Sequence, residues 1–254
     1  MQLKTMKKLL IPVFCLSLFA VSCGKTEEDT TAPEILSLSV ETNEVSAGGT
    51  LIVKADNKDE TALNQLKLNI HDRFDGHGHE KIAGVPWEEV RVIDLDGKEY
   101  FVTENFDVPD NATAGPYHVI AQLVDGEGNT SDFKEVDFWV YNSDMALITV
   151  LSPDLTIEPY YAIDDTLNFA GSIADDEEIA EITVIVKSFT GTTYYEQDID
   201  LEGQNITNYD LSTLPSLIFN ESDFGPNHVH LEMEVIAIDN DGNINEVKGN
   251  LHYN

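Results

Sequence analysis

The chain has 254 residues, with 14 Lys and Arg against 47 Asp and Glu, for a formal net charge of −33. That balance excludes ordinary nucleic-acid binding, which depends on Lys and Arg patches that displace counterions from the phosphates. A hydrophobic fraction of 42%, with 11 Phe and 9 Tyr, excludes wholesale disorder.

In chain order, the first segment reads as an address. Lys4, Lys7 and Lys8 form a positive n-region, and Leu9 to Phe19 an apolar run too short to span a bilayer comfortably. Ala20-Val21-Ser22-Cys23-Gly24 follows and resembles the lipobox of bacterial lipoproteins, with Ala20 where Leu is more frequent. The resemblance implies cleavage before Cys23 and acylation of that residue, and several acyl chains together make a stable anchor. The competing reading is a plain signal cut after Ser22, which releases a soluble protein. Cys15 and Cys23 are the only cysteines, so no disulfide is expected within the mature domains.

Loss of residues 1–22 removes Lys4, Lys7 and Lys8 and no acid, which leaves 11 basic against 47 acidic groups and a net charge of −36. About 230 residues then remain, too many for one small sandwich and suited to two. Residues 23–31, with Lys25-Thr26-Glu27-Glu28-Asp29, read as an acidic tether. A Lys followed by acids after a lipidated Cys resembles the surface-export signals of Bacteroidetes lipoproteins. That implies an outer-membrane protein facing outward; a periplasmic linker is the alternative.

From Ala32 onward the pattern is short alternating runs broken by Gly, Pro, Asn and Asp, without a long amphipathic helix. Two stretches align. Thr50-Leu51-Ile52-Val53 lies over Thr166-Leu167-Asn168-Phe169, and Leu63, Leu66, Leu68 and Ile70 lie over Ile179, Ile182, Val184 and Val186. Further on, Gly115-Pro116-Tyr117-His118 lies over Gly225-Pro226-Asn227-His228, and Asp125–Asn129 over Asp239–Asn243. The expected fold is therefore all-β, with two tandem copies at 32–142 and 143–254. It resembles the immunoglobulin-like β-sandwiches of bacterial surface proteins, a likeness that carries no activity.

In such a sandwich the third and sixth strands are antiparallel neighbours. With Leu66–His71 as the third and Tyr117–Val124 as the sixth, His71 and His118 fall side by side, and strand parity turns both outward. Tyr117 takes the position of a corner tyrosine. The intervening segment Asp72-Arg73-Phe74-Asp75-Gly76-His77-Gly78-His79 starts from the same spot. His71, His77, His79 and His118, with Asp75 available, form a ligand set for Zn(II), Cu(II) or Ni(II). A solvated loop that binds nothing, or one that responds to pH, is the competing reading.

His71-Asp72-Arg73-Phe74-Asp75-Gly76-His77-Gly78-His79 together with Gly115-Pro116-Tyr117-His118 resembles a group of Bacteroidetes lipoproteins, domain of unknown function 4625. The resemblance implies an immunoglobulin-like domain with a His-rich loop, clear in the first copy only, and no established activity.

His228 and His230 share one strand face and make a weaker second metal candidate, against a reading as a plain polar strand. Asp125–Asn129 and Asp239–Asn243 offer oxygens to Ca(II), with Asp59 or Asp175 nearby, but hairpin chemistry explains them and Ca(II) ranks below Zn(II) and Cu(II). Trp87, Trp139, Tyr160, Tyr161, Tyr194 and Tyr195 offer a sugar-stacking platform, against a reading as plain core or edge packing. No nucleophile motif, phosphate-cradling glycine loop or helical zinc-hydrolase spacing occurs. The expectation is a lipid-anchored surface protein that binds a transition metal rather than catalysing, with an outer-membrane transporter or a surface glycan as partner. The second reading is an adhesion or glycan-binding module without metal.

Overall fold

The computed structural model describes residues 29–74 and 84–254. The segment around Cys23 that resembles a lipobox, and Asp75, His77 and His79, lie outside the described residues. Among the described residues no helix is long and apolar enough to cross a membrane.

Strict alternation of apolar and polar side chains builds strands, because successive side chains leave a pleated backbone on opposite faces. In the first half these are β1 (Glu34–Val40), β2 (Glu44–Ser46), β3 (Thr50–Lys58), β4 (Leu63–Asp72), β5 (Glu89–Asp94), β6 (Glu99–Asp107), β7 (Gly115–Asp125) and β8 (Lys134–Tyr141). They form a three-stranded sheet, β1-β3-β6, and a five-stranded one, β2-β8-β7-β4-β5. Leu51, Val53 and Ala55 of the first sheet share one core with Leu66, Leu68, Ile70, Val119, Ala121 and Leu123 of the second. Tyr117 is fully buried in that core, and its hydroxyl donates to the Thr113 carbonyl at 2.8 Å while accepting from Trp87 N. Burial pushes this phenol up to about 12, so it stays protonated and available as a donor. This is the corner bond anticipated for that position.

The second half contains β9 (Leu147–Ser152), β10 (Tyr160–Tyr161), β11 (Thr166–Leu167), β12 (Ala170–Ala174), β13 (Ile179–Ser188), β14 (Thr193–Asp200), β15 (Asn208–Asp210), β16 (Leu217–Ile218), a one-turn helix α1 (Glu221–Phe224), β17 (Val229–Asp239) and β18 (Ile244–Tyr253). Its sheets are β15-β12-β9, β10-β18-β17-β13-β14 and the pair β11-β16, around a second core that includes Ile182, Val184, Val186, Met233 and Leu251. The chain is all-β with several sheets.

The two halves meet at the β17–β18 turn. Asn243 is buried, and its Oδ1 accepts from Ala114 N at 2.8 Å and from Asn142 Nδ2 at 2.6 Å. Ile244 N donates to the Ala114 carbonyl, and Ile236, Ile238 and Ile244 pack into the first core. Apolar burial and buried hydrogen bonds thus lock the turn of one half into the base of the other.

One alignment needs correcting. Gly115-Pro116 lies inside β7, whereas Gly225-Pro226 precedes β17, with Gly225 capping α1 at φ 74°. The matching tetrapeptides are not in structural register. Strand ends instead relate β4 to β13 by 116 positions and β7 to β17 by 114. Over this interval the first half is longer by two residues.

Candidate metal centre

Cross-strand pairing decides which imidazoles meet. In the first half β4 and β7 are antiparallel and His71 lies directly opposite His118. The two rings meet edge to face at 4.1 Å, with Nε2 to Nε2 at 2.6 Å. Both Nδ1 atoms are buried without a hydrogen-bond partner among the described residues. Burial, then the neighbouring His71 and Arg73, lowers the His118 pKa, which favours the neutral imidazole that a metal requires. The structure brings together these two of the five residues read from the sequence; the other three are outside the described residues.

A fuller donor set lies in the second half. The β17–β18 hairpin sets His230 opposite His252, and His228, two residues earlier, falls on the same face. The ligand nitrogens of His228, His230 and His252 all lie within 4.8 Å of one another. Ring centroids are 4.6 Å apart for His228–His230, 4.8 Å for His230–His252 and 5.3 Å for His228–His252. Tetrahedral Zn(II) with bonds near 2.0–2.1 Å needs nitrogens roughly 3.4 Å apart, so side-chain rotation would have to close the remaining gap. This group can hold a metal ion.

Two further residues shape it. β10 runs parallel to β18 and sets Tyr160 beside His252, where the phenol stacks on the imidazole at 4.3 Å and 15° and holds its plane. Just before β10, Glu158 approaches His252 Nε2 with Oε2 at 3.4 Å and accepts from Asn250 Nδ2 with Oε1 at 3.1 Å. The Asn250 bond first, and His252 second, lower the Glu158 pKa and keep it a carboxylate. Three imidazoles and one carboxylate are a four-coordinate donor set without thiol. His252 is 6% exposed, while His228 and His230 face solvent, so an ion would enter from that side.

Sequence reasoning marked His228 and His230 and missed His252 and Glu158. A signal for His252 was present. A hairpin pairs residues equidistant from its turn, and His230 and His252 each stand eleven positions from Asp241. Glu158 carried none, because a parallel edge strand brings it there.

The calcium candidates resolve differently. Asp125 accepts from Glu127 N and Asn129 N on Oδ1 and from Asn129 Nδ2 on Oδ2; Asp239 accepts from Asn243 N and Nδ2 in the same way. Both carboxylates hold their turns together. Asp29, Asp125 and Glu127 do lie within 4.8 Å of one another, and Asp239, Asp175 and Asp241 line one small acidic recess. Burial, with Asp175 adding to it, pushes Asp239 up to about 6. The aromatic residues do not form one platform. Trp87 is in the first core, Tyr160 covers His252, Tyr161 stacks on Phe219, Tyr194 stacks on Phe224, and Tyr195 is buried.

The family match covers the first half. Residues 21–136 match the model of the family described as a domain of unknown function, DUF4625. The match ends inside β8, as the loop-and-strand resemblance implied, and it includes His71 and His118 but none of the triad. No curated protein matches the chain. Among solved structures, dimeric latent PorU from Porphyromonas gingivalis is similar at 12% identity and a TM-score of 0.31, over 91% of this chain and 21% of that one. The fibronectin(III)-like modules of Clostridium thermocellum CbhA are similar at 14% and 0.25, over 85% and 93%. Escherichia coli alpha-2-macroglobulin activated by porcine elastase is similar at 11% and 0.33, over 87% and 20%. The chain thus spans about a fifth of the first and third of these.

Proposed function

We propose that this protein is a lipid-anchored component of the bacterial outer membrane, facing outward, in which two immunoglobulin-like modules present a transition-metal site. It binds rather than catalyses, and it passes its ion to a membrane transporter. The observation that carries the metal reading is the convergence of His228, His230 and His252 within 4.8 Å, with Glu158 against the buried member. His71 and His118 support a second site in the DUF4625 half, for which His77, His79 and Asp75 are the sequence candidates. The anchor rests on Cys23 and its flanking residues, and the surplus of acid would concentrate cations near the surface.

The test is isothermal titration of tag-free, detergent-solubilised protein with Zn(II) and Cu(II), beside a His230→Ala/His252→Ala variant. The variant is expected to lose one equivalent of binding, with an affinity fall of at least tenfold at that site. Equal heats from the two proteins would remove the triad as a metal centre. Palmitate labelling that persists in Cys23→Ser would remove the anchor.

A further inference from the structure

A cleft of about 670 Å³ opens where β8 of the first half meets β18 of the second. Neither half makes it alone. Its floor comes from the alternation of β8: Phe138 and Val140 point into the core, so Trp139 and Tyr141 point out, side by side, with ring centroids 6.2 Å apart and planes tilted by 32°. The Trp139 indole N–H is buried, with no hydrogen-bond partner among the described residues, so the ring meets the cleft through its carbon surface.

The walls carry charge in compensated pairs. On one side Arg73 meets Asp137 at 2.6 Å; on the other Lys248 meets Glu246 at 2.8 Å. Glu44 adds one more carboxylate, so among the described residues the lining holds three anions against two cations. Burial first, then Glu44 and Glu246, raises the Tyr141 pKa, so its hydroxyl remains a donor. The volume falls in the range typical of small-molecule sites. A phosphate or uronate would meet net negative charge, and an apolar ligand would strand the polar walls. A sugar ring suits both features: its C–H face lies on an indole or phenol, and its vicinal hydroxyls bridge a carboxylate and a neighbouring cation.

We infer that this cleft binds a neutral oligosaccharide, stacked on Trp139 and Tyr141 and hydrogen-bonded by Glu246 and Lys248. The site shares no residue with the His228, His230 and His252 group and goes beyond the reading given above.

Electrophoresis of the detergent-solubilised full-length protein through native gels containing soluble galactomannan, xyloglucan, glucomannan or dextran tests this, with polygalacturonate as the acidic arm. At least one neutral polymer is expected to retard the protein. Trp139→Ala and, independently, Glu246→Gln should each weaken that retardation at least tenfold, while His252→Ala leaves it unchanged. Glu246→Gln keeps the test open if Trp139→Ala folds poorly. Loss in His252→Ala as well would tie the retardation to the metal centre and overturn the assignment. No retardation by any neutral polymer, retardation by polygalacturonate alone, or retardation of both cleft variants equal to that of the wild type would also overturn it.

Discussion

The two halves of the molecule pair the same strands and put different chemistry at the same cross-strand positions. Opposite one another on β4 and β7 stand His71 and His118; at the corresponding positions of β13 and β17 stand Lys187 and Glu232, an ion pair at 3.6 Å. Two residues along β7, Pro116 lies opposite Trp139; at that place in the second half His230 lies opposite His252. A metal-capable pair in one half therefore sits where the other has a salt bridge, and an imidazole pair sits where the other has an indole. The pairing geometry is a property of the fold, set by inward apolar faces that both halves share. The outward residues are free of the core and can be exchanged without disturbing it.

The junction offers the largest way to break this comparison. Asn129 and Asn243 occupy equivalent turn positions, and both hold the carboxylate four residues before them. Asn243 also bridges Ala114 and Asn142 of the first half from a buried position. Asn243→Ala should cost about 3 kcal/mol in urea denaturation, against about 1 kcal/mol for Asn129→Ala, because it leaves buried partners unsatisfied. Equal losses would mean that the junction contributes nothing beyond the turn.

A smaller effect is expected from charge at that junction. Asp175 and Asp239 both have raised pKa values, Asp239 to about 6, and burial is the first cause in each. A carboxyl whose folded pKa exceeds its unfolded value binds protons more tightly when folded, so its contribution to stability falls as pH rises from about 4 to about 6. Asp175→Asn relieves this and should stabilise by about 1 kcal/mol at pH 7.5, roughly 2–4 °C in Tm for a chain this size, with the gain fading towards pH 4. Added Ca(II) that raises the wild-type Tm, but not that of the variant, would instead make this recess a calcium site.

The smallest effect sharpens the comparison most. Importing the second half's pair into the first, as His71→Lys/His118→Glu, should change stability by less than about 1 kcal/mol, since the two half-buried positions on the outer face receive a pair of opposite charges. Titration with Zn(II) should then lose the first-half heat and retain that of the triad. Unchanged heats would show that the imidazole pair at β4–β7 holds no ion.

Much of this was legible in the residues. Alternation placed the core strands, parity put His71 and His118 on one outer face, and Tyr117 took its corner position because a phenol there can reach the Thr113 carbonyl. The Gly-Pro-x-His repeat misled, because a one-turn helix carries Gly225-Pro226 outside β17 while Gly115-Pro116 lies within β7. His252 escaped notice although its distance from the Asp241 turn matched that of His230.

Local sequence by itself determined that this chain forms alternating strands and hairpin turns, since the two-residue period and the Asp, Asn and Gly punctuation act within a few residues. Only the tertiary structure decided that Glu158 and Tyr160 reach His252, and that Trp139 shares a cleft with Glu246 and Lys248. Those contacts depend on a parallel edge strand and on the docking of one half against the other. Both are set by the burial of surfaces far apart in the chain, which no local period records.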